Sequence, residues 1–184
     1  MQAARGTSLS DDDVRPDTPP PAPSGSRHWL LFAAVAALVY AIDIVSKILA
    51  VEKLTDHPDV PIIGDFLVLH LTRNPGAAFS TGTQFTEIIS GIAVVALGVV
   101  LYLSRRLGSA VWAVALGLLL AGVAGNLTDR LLREPGPMRG HVIDFLMLPN
   151  WPIFNFADVS INIAAGLILL QAFRGIRIDG TREA

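Results

Sequence analysis

The chain has 184 residues, of which 52% are hydrophobic and only 16% are charged. Soluble domains carry about 25% charged residues, so this composition indicates a membrane protein. The net charge of −2 gives no sign of the basic face that a nucleic-acid partner requires. The chain contains no cysteine, which excludes disulfides, thiolate metal sites and a cysteine nucleophile.

The first 27 residues differ from the rest of the chain. They combine Asp11-Asp12-Asp13 with five prolines between Pro16 and Pro23, and almost no large apolar side chains. Such a segment cannot bury enough surface to offset the entropy that ordering costs. We therefore predict a disordered tail over residues 1–27, with a proline-rich recognition motif as the alternative.

Four apolar segments follow, at about 29–50, 85–104, 110–131 and 155–173. Each approaches the ~20 residues that an α-helix needs to cross the membrane hydrocarbon. We therefore predict an all-α membrane protein, with a four-helix transmembrane domain over residues 28–174 and a short tail over 175–184. An alternative for the first segment is a cleaved signal peptide, since Val39-Tyr40-Ala41 resembles a cleavage site. The segment continues to Ala50, however, and three more follow.

Basic residues near the segment ends predict the orientation in the membrane. Six arginines fall on one side of the four spans and four basic residues on the other, counting Arg27, Arg105, Arg106, Arg174, Arg177 and Arg182 against Lys53, Arg73, Arg133 and Arg139. This bias predicts that both termini are cytoplasmic. The loops at 51–84 and 132–154 are then extracytoplasmic.

Polar side chains in the predicted spans gather at the outer side. Because such residues are costly in a bilayer, a cluster of them predicts a functional site. The cluster lies in the outer third of the first span, at the end of the third, and at the start of the fourth, and comprises Asp43, Lys47, Asn126, Asp129, Arg130, Asp144, Asn155 and Asp158.

Structural roles also fit several of these residues. Asp43 and Lys47 are four residues apart and can form an ion pair on one helix face. Asn155 and Asp158 have the spacing of a capping box, and the helix dipole favours a negative Asp158 there. Capping does not explain Asp144, which lies in the apolar stretch 141–147. From the residues alone, structural support and a catalytic Asp144/Asp158 pair both remain open.

The outer loop before the second span has a different pattern. Residues 60–72 are rich in β-branched and aromatic side chains, and Gly64-Asp65 is typical of a turn, so we predict short strands on the membrane surface. The following stretch, residues 73–80, has small side chains that permit close backbone approach to a ligand. An ordinary turn is the alternative.

Five motifs resemble those of the lipoprotein signal peptidases (signal peptidase II), a family of aspartic peptidases. The resemblance covers about residues 29–173, and the motifs occur in the family's order as Asp43-x-x-Ser46-Lys47, Asn74-x-Gly76-Ala77-Ala78-Phe79, Gly125-Asn126-x-x-Asp129-Arg130, Gly140-x-Val142-x-Asp144-Phe145 and Phe154-Asn155-x-Ala157-Asp158. Two features depart from the pattern, a longer tail at 1–27 and an extended segment at 133–139.

The resemblance implies an aspartic endopeptidase of the bacterial cell membrane that needs no metal or organic cofactor. Its substrates would be diacylglyceryl-prolipoproteins, cut N-terminal to the lipidated cysteine, with membrane lipid around a monomeric enzyme. Asp144 and Asp158 match the catalytic aspartates, and a small extracytoplasmic β-rich cradle borders the cleft. The remaining matched positions would bind substrate or support the site, namely Asn74, Gly76, Asn126, Asp129, Arg130, Asn155, Asp43 and Lys47.

The paired aspartates also suggest how the proton is divided. Two neighbouring carboxylates cannot both ionise cheaply, so one keeps a proton. Our hypothesis is that Asp158, at its helix N-terminus, is more often ionised and Asp144 more often protonated.

Other function classes fit the sequence less well. Ser46 and Lys47 are adjacent, so on a helix they do not face each other as a Ser/Lys protease would need. The histidines at 57, 70 and 141 are scattered, which disfavours a metalloprotease. A proton-coupled transporter would place acids at mid-membrane and show internal repeats.

Overall fold

A computed structural model describes residues 24–76 and 84–183, and within them four long helices form the bundle. They are α1 (Ser24–Leu54), α2 (Gln84–Ser104), α3 (Ala110–Leu132) and α4 (Phe156–Phe173). All four are long and apolar enough to cross a membrane. The predicted four-helix membrane fold is confirmed.

The first helix begins earlier than predicted. Residues 1–23 of the predicted disordered tail lie outside the described part of the chain, but residues 24–27 belong to α1, so the tail boundary at 27 is wrong. A helix of 31 residues is about 46 Å long, which exceeds the ~30 Å of hydrocarbon. Its polar first turn can therefore extend beyond the apolar segment that hydropathy detects.

Helix α3 is the centre of the bundle and packs against α1, α4 and α2. Glycines on α3 allow the neighbouring helices to approach closely. A Cβ at Gly117 would lie 2.9 Å from the carbonyl oxygen of Phe32 on α1, and one at Gly122 would lie 2.6 Å from that of Ala157 on α4. The predicted site residues of α1, α3 and α4 contact one another between these closely packed helices.

Three short strands form an antiparallel sheet in the order β1 (Val60–Ile63), β2 (Leu67–Asn74) and β3 (Val142–Met147). The first two strands and the turn between them confirm the strands predicted for residues 60–72. The third strand was not predicted. It places Asp144 opposite Thr72 and Val142 opposite Asn74, which brings two predicted site segments together.

The chain reaches β3 and α4 through close backbone contacts. Gly140 donates its N–H to the carbonyl of Arg130, and a Cβ there would lie 2.3 Å from the carbonyl oxygen of Asp129. Phe154 then pairs with Leu146, so α4 begins beside the end of β3. These contacts place the start of α4 next to Asp144.

The opposite end of the bundle is covered by residues 174–183. The indole N–H of Trp112 donates to the carbonyl of Ile176 at 2.9 Å, and the N–H of Gly108 donates to the carbonyl of Ile178 at 2.9 Å. The C-terminal segment thus packs on the turn between α2 and α3.

Candidate active site

The predicted catalytic aspartates lie on either side of Asn155. The Asn155 side-chain Nδ2 donates to Asp144 Oδ1 at 2.6 Å, and its backbone N–H donates to Asp158 Oδ2 at 3.1 Å. The Asn155 Oδ1 accepts from the N–H of Asp158, which completes the predicted capping box of α4. One asparagine therefore couples a strand carboxyl to a helix carboxyl.

The other oxygen of each aspartate also accepts a hydrogen bond. Asn74 Nδ2 donates to Asp144 Oδ2 at 2.8 Å, and Asn126 Nδ2 donates to Asp158 Oδ1 at 2.9 Å. Asp144 is buried, with 2% of its surface exposed. Amide donors from β2, α3 and the α4 N-cap thus surround the pair.

The environment of Asp144 favours its protonated form. The pKa of Asp144 is raised to about 6, chiefly by burial and also by the neighbouring charge of Asp158. Hydrogen bonds from Asn74 and Asn155 act in the opposite direction. A carboxyl with this pKa can hold or release a proton near neutral pH.

A buried ion network lies next to the aspartates. Lys47 Nζ is 2.8 Å from Asp43 Oδ2 and 3.0 Å from Asp129 Oδ2, and it donates to Asn126 Oδ1 at 2.9 Å. Lys47 and Asp43 are fully buried. The predicted Asp43–Lys47 ion pair is therefore present, and it extends to α3 through contacts that the sequence did not predict.

The carboxylates of this network also accept hydrogen bonds from backbone N–H groups of neighbouring elements. Asp43 Oδ1 accepts the N–H of Ala157 at 2.9 Å, in the first turn of α4. Asp129 Oδ2 accepts the N–H of Ile143 at 3.2 Å, in β3, and Asp129 Oδ1 pairs with Arg133. The network thus joins α1 and α3 to the two elements that carry the aspartates.

Gly76 and Arg130 form a second contact beside the site. Gly76 has a φ of +88°, and its N–H donates to Asn74 Oδ1 at 2.8 Å. A Cβ at Gly76 would lie 2.9 Å from a guanidinium nitrogen of Arg130, so both conformation and space require glycine. Within the described residues Arg130 makes no hydrogen bond to either aspartate. Ala77, Ala78 and Phe79 of the same motif lie outside the described residues.

Two hydroxyl groups of α2 are further contacts that the sequence did not reveal. Thr86 Oγ1 donates to the carbonyl of Pro75 at 2.6 Å, and Ser90 Oγ donates to that of Met138 at 2.7 Å. A single hydroxyl in an apolar span gives no signal of its partner in a distant loop.

The arrangement does not favour the rival chemistries. Ser46 Oγ donates to the carbonyl of Asp43 at 2.8 Å, whereas Lys47 Nζ is turned toward the ion network. In residues 24–76 and 84–183, no group of three carboxylate or imidazole side chains could hold a metal ion.

Comparisons with known proteins identify a family to which this chain is similar. The sequence model of the family described as signal peptidase (SPase) II matches residues 35–174. The chain is 48% identical to a lipoprotein signal peptidase of Leifsonia xyli, with 84% of this chain and 72% of that protein covered. It is 45% identical to the one of Rhodococcus jostii, with coverages of 95% and 87%.

Solved structures with a similar fold are also known. One bacterial membrane enzyme, determined at 1.9 Å resolution, has a TM-score of 0.70 and 28% identity, with 78% of this chain and 92% of that chain covered. A second, at 2.3 Å resolution, has a TM-score of 0.67 and 26% identity, with coverages of 83% and 93%.

Proposed function

The chain belongs to the signal peptidase II family, and we propose that it removes signal peptides from diacylglyceryl-prolipoproteins as an aspartic endopeptidase. Cleavage would fall N-terminal to the lipidated cysteine. The observation that carries the proposal is the coupling of Asp144 and Asp158 through Asn155, at 2.6 Å and 3.1 Å. The name lipoprotein signal peptidase, borne by its relatives, supports the substrate class.

The mechanism uses the pair with one shared proton. Asp158 lies in the first turn of α4, where the helix dipole favours a negative charge, so it acts as the ionised general base. It takes a proton from a water molecule, whose oxygen attacks the scissile carbonyl. Asp144, whose pKa burial raises to about 6, donates a hydrogen bond to the carbonyl oxygen as the tetrahedral intermediate forms. Collapse of the intermediate breaks the C–N bond, and the leaving nitrogen takes a proton from the pair.

The surroundings of the pair suit a lipid-anchored substrate. Asp144 lies in β3 and Asp158 in the first turn of α4, at the end of the bundle that carries the sheet. We propose that this end faces the extracytoplasmic side, with both termini in the cytoplasm, and that the enzyme acts as a monomer among membrane lipids. The diacylglyceryl group would then hold the scissile bond near the membrane surface, at the depth of the pair.

The decisive experiment replaces each aspartate separately. Asp144→Asn and Asp158→Asn are purified in detergent and mixed with a diacylglyceryl-modified precursor, and conversion is followed by gel mobility and mass spectrometry. We expect at least a 1000-fold loss of rate for each, because neither variant retains an acid–base pair.

A matched control guards against general effects of removing a carboxylate. Asp59→Asn removes an exposed carboxylate that contacts His70 on the sheet, and it should cleave like the wild type. Full processing by either Asp144→Asn or Asp158→Asn would overturn the assignment. Mass spectrometry of the product tests the cleavage position independently.

A further inference from the structure

Asn126 connects the buried Lys47 to the aspartate pair. Its Oδ1 accepts hydrogen bonds from Lys47 Nζ at 2.9 Å and from Asn155 Nδ2 at 3.2 Å. Its Nδ2 donates to Asp158 Oδ1 at 2.9 Å. The amide oxygen therefore faces two donors, and the amide nitrogen faces a carboxylate.

This arrangement allows only one orientation of the Asn126 amide. Lys47 Nζ has donors only, and both hydrogens of Asn155 Nδ2 are used, one toward Asp144 and one toward Asn126. Turning the amide by 180° would place its NH2 group against the ammonium and its oxygen against Asp158. The buried charge makes that alternative costly, because the Lys47 side chain has no access to solvent.

We propose that Lys47 is a positioning residue, whose ammonium holds the Asn126 oxygen toward α1 so that Nδ2 must donate to Asp158. This role rests on the proposed function, since it matters only if Asp144 and Asp158 act together. This role is distinct from the ion pair of Lys47 with Asp43, which by itself would only link two successive turns of α1.

The charge of Lys47 also reaches the other aspartate. It lowers the pKa of Asp144, in opposition to burial and to Asp158. The charged groups around the pair are Asp43 and Lys47 from α1 and Asp129 and Arg130 from α3. Loss of the ammonium should therefore raise the pKa of Asp144.

The test compares two variants that differ only at residue 47. Asp43→Asn retains Lys47 and an oxygen that can accept the Ala157 N–H. The double variant Asp43→Asn/Lys47→Met removes the ammonium as well, and it leaves Asp129 paired with Arg133, so no uncompensated carboxylate is created in the network. Thermal unfolding in detergent shows which preparations are folded.

We expect the double variant to cleave precursor with a kcat roughly 10- to 100-fold below that of Asp43→Asn, because the Asn126 amide would no longer be held in position to donate to Asp158. The KM for precursor should change less than about twofold, because no substrate contact is removed. The optimum of the pH–rate profile should move to higher pH. A purely structural role would lower the rate equally at all pH values.

A second readout does not depend on cleavage. Infrared difference spectra of the carboxylic-acid C=O band, assigned with Asp144→Asn, follow protonation of the pair during a pH titration. The midpoint should be higher in the double variant than in Asp43→Asn. Identical midpoints and pH–rate profiles in the two folded variants would overturn the role of Lys47. If the wild type cleaves no lipidated precursor, the proposed function fails, while the titration still measures the effect of Lys47 on the pair.

Discussion

At Gly125, the contact between α1 and α3 depends on the absence of a side chain. A Cβ at this position would lie 2.2 Å from Asp43 Oδ2, the oxygen that pairs with Lys47. The same carboxylate holds the N–H of Ala157 at the start of α4. A single missing methyl group thus permits the charge network to form between the two helices and to reach the aspartate pair.

We therefore expect Gly125→Ala to lower the free energy of unfolding by about 1–3 kcal/mol, as overpacking does in other cores. The rate of precursor cleavage should fall with it, because Asp43 can no longer hold the first turn of α4. Denaturant unfolding in detergent and a cleavage assay measure the two effects.

Gly98→Ala on α2 is the matched control for this substitution. No atom lies within 4 Å of the Cβ it would add, and alanine is the better helix former, by ~1 kcal/mol. The control should be as stable as the wild type or more so. Equal stability of Gly125→Ala and Gly98→Ala would show that Asp43 can move away without cost.

At the scale of elements, the features predicted correctly from the sequence are those that depend on a local residue pattern. Hydropathy located the four helices, and the spacing of Asn155 and Asp158 predicted the α4 capping box. Strand β3 was missed because Val142–Met147 is a short apolar run without alternation, next to a helix. Its partner β2 lies about 70 residues earlier in the chain, and no local signal reports such a pairing.

The contacts between elements were predicted only in part. Asp43 and Lys47 share a helix face, so their ion pair follows from spacing. The contacts of Lys47 with Asn126 and Asp129 depend on how α1 and α3 are rotated about their axes. That rotation is determined by packing at small residues of α3, which a single sequence does not reveal.

Helix α2 packs mainly against α3. It also contacts the loop at residues 133–140, and this second contact can be tested. Ser90 is fully buried, and its hydroxyl donates to the carbonyl of Met138. Ser90→Ala leaves that carbonyl without this donor, so we expect a loss of about 1–2 kcal/mol in the free energy of unfolding. Hydrogen exchange at residues 133–140 should become faster.

Glu87→Gln tests a neighbouring contact with the same loop. The pair of Glu87 with Arg139 is exposed to solvent, and exposed pairs contribute at most about 1 kcal/mol. We expect little change in unfolding or exchange. A larger effect for Glu87→Gln than for Ser90→Ala would mean that the surface ion pair, rather than the buried hydroxyl, holds the loop.

For the whole molecule, the two ends of the bundle differ in chemistry. One end carries the sheet, the aspartate pair and the ion network. At the other end, the α2–α3 turn and the C-terminal segment bring together five exposed arginines, namely Arg105, Arg106, Arg174, Arg177 and Arg182. Positive residues concentrate on the cytoplasmic side of membrane proteins, so the site end should face outward.

The absence of native cysteine makes this orientation directly measurable. Asp65→Cys places a thiol on the exposed turn between β1 and β2, and Arg105→Cys places one on the exposed turn between α2 and α3. In cells whose cell wall and any outer membrane have been removed but whose cytoplasmic membrane is intact, a membrane-impermeant maleimide should label Asp65→Cys only. Arg105→Cys should react after the membrane is permeabilised, and Ala113→Cys, which is fully buried, should stay unlabelled in the folded protein throughout.

Labelling of Arg105→Cys in intact cells, with Asp65→Cys protected, would show that the protein has the opposite orientation. The aspartate pair would then face the cytoplasm, where it could not act on precursors whose cleavage site lies at the outer surface.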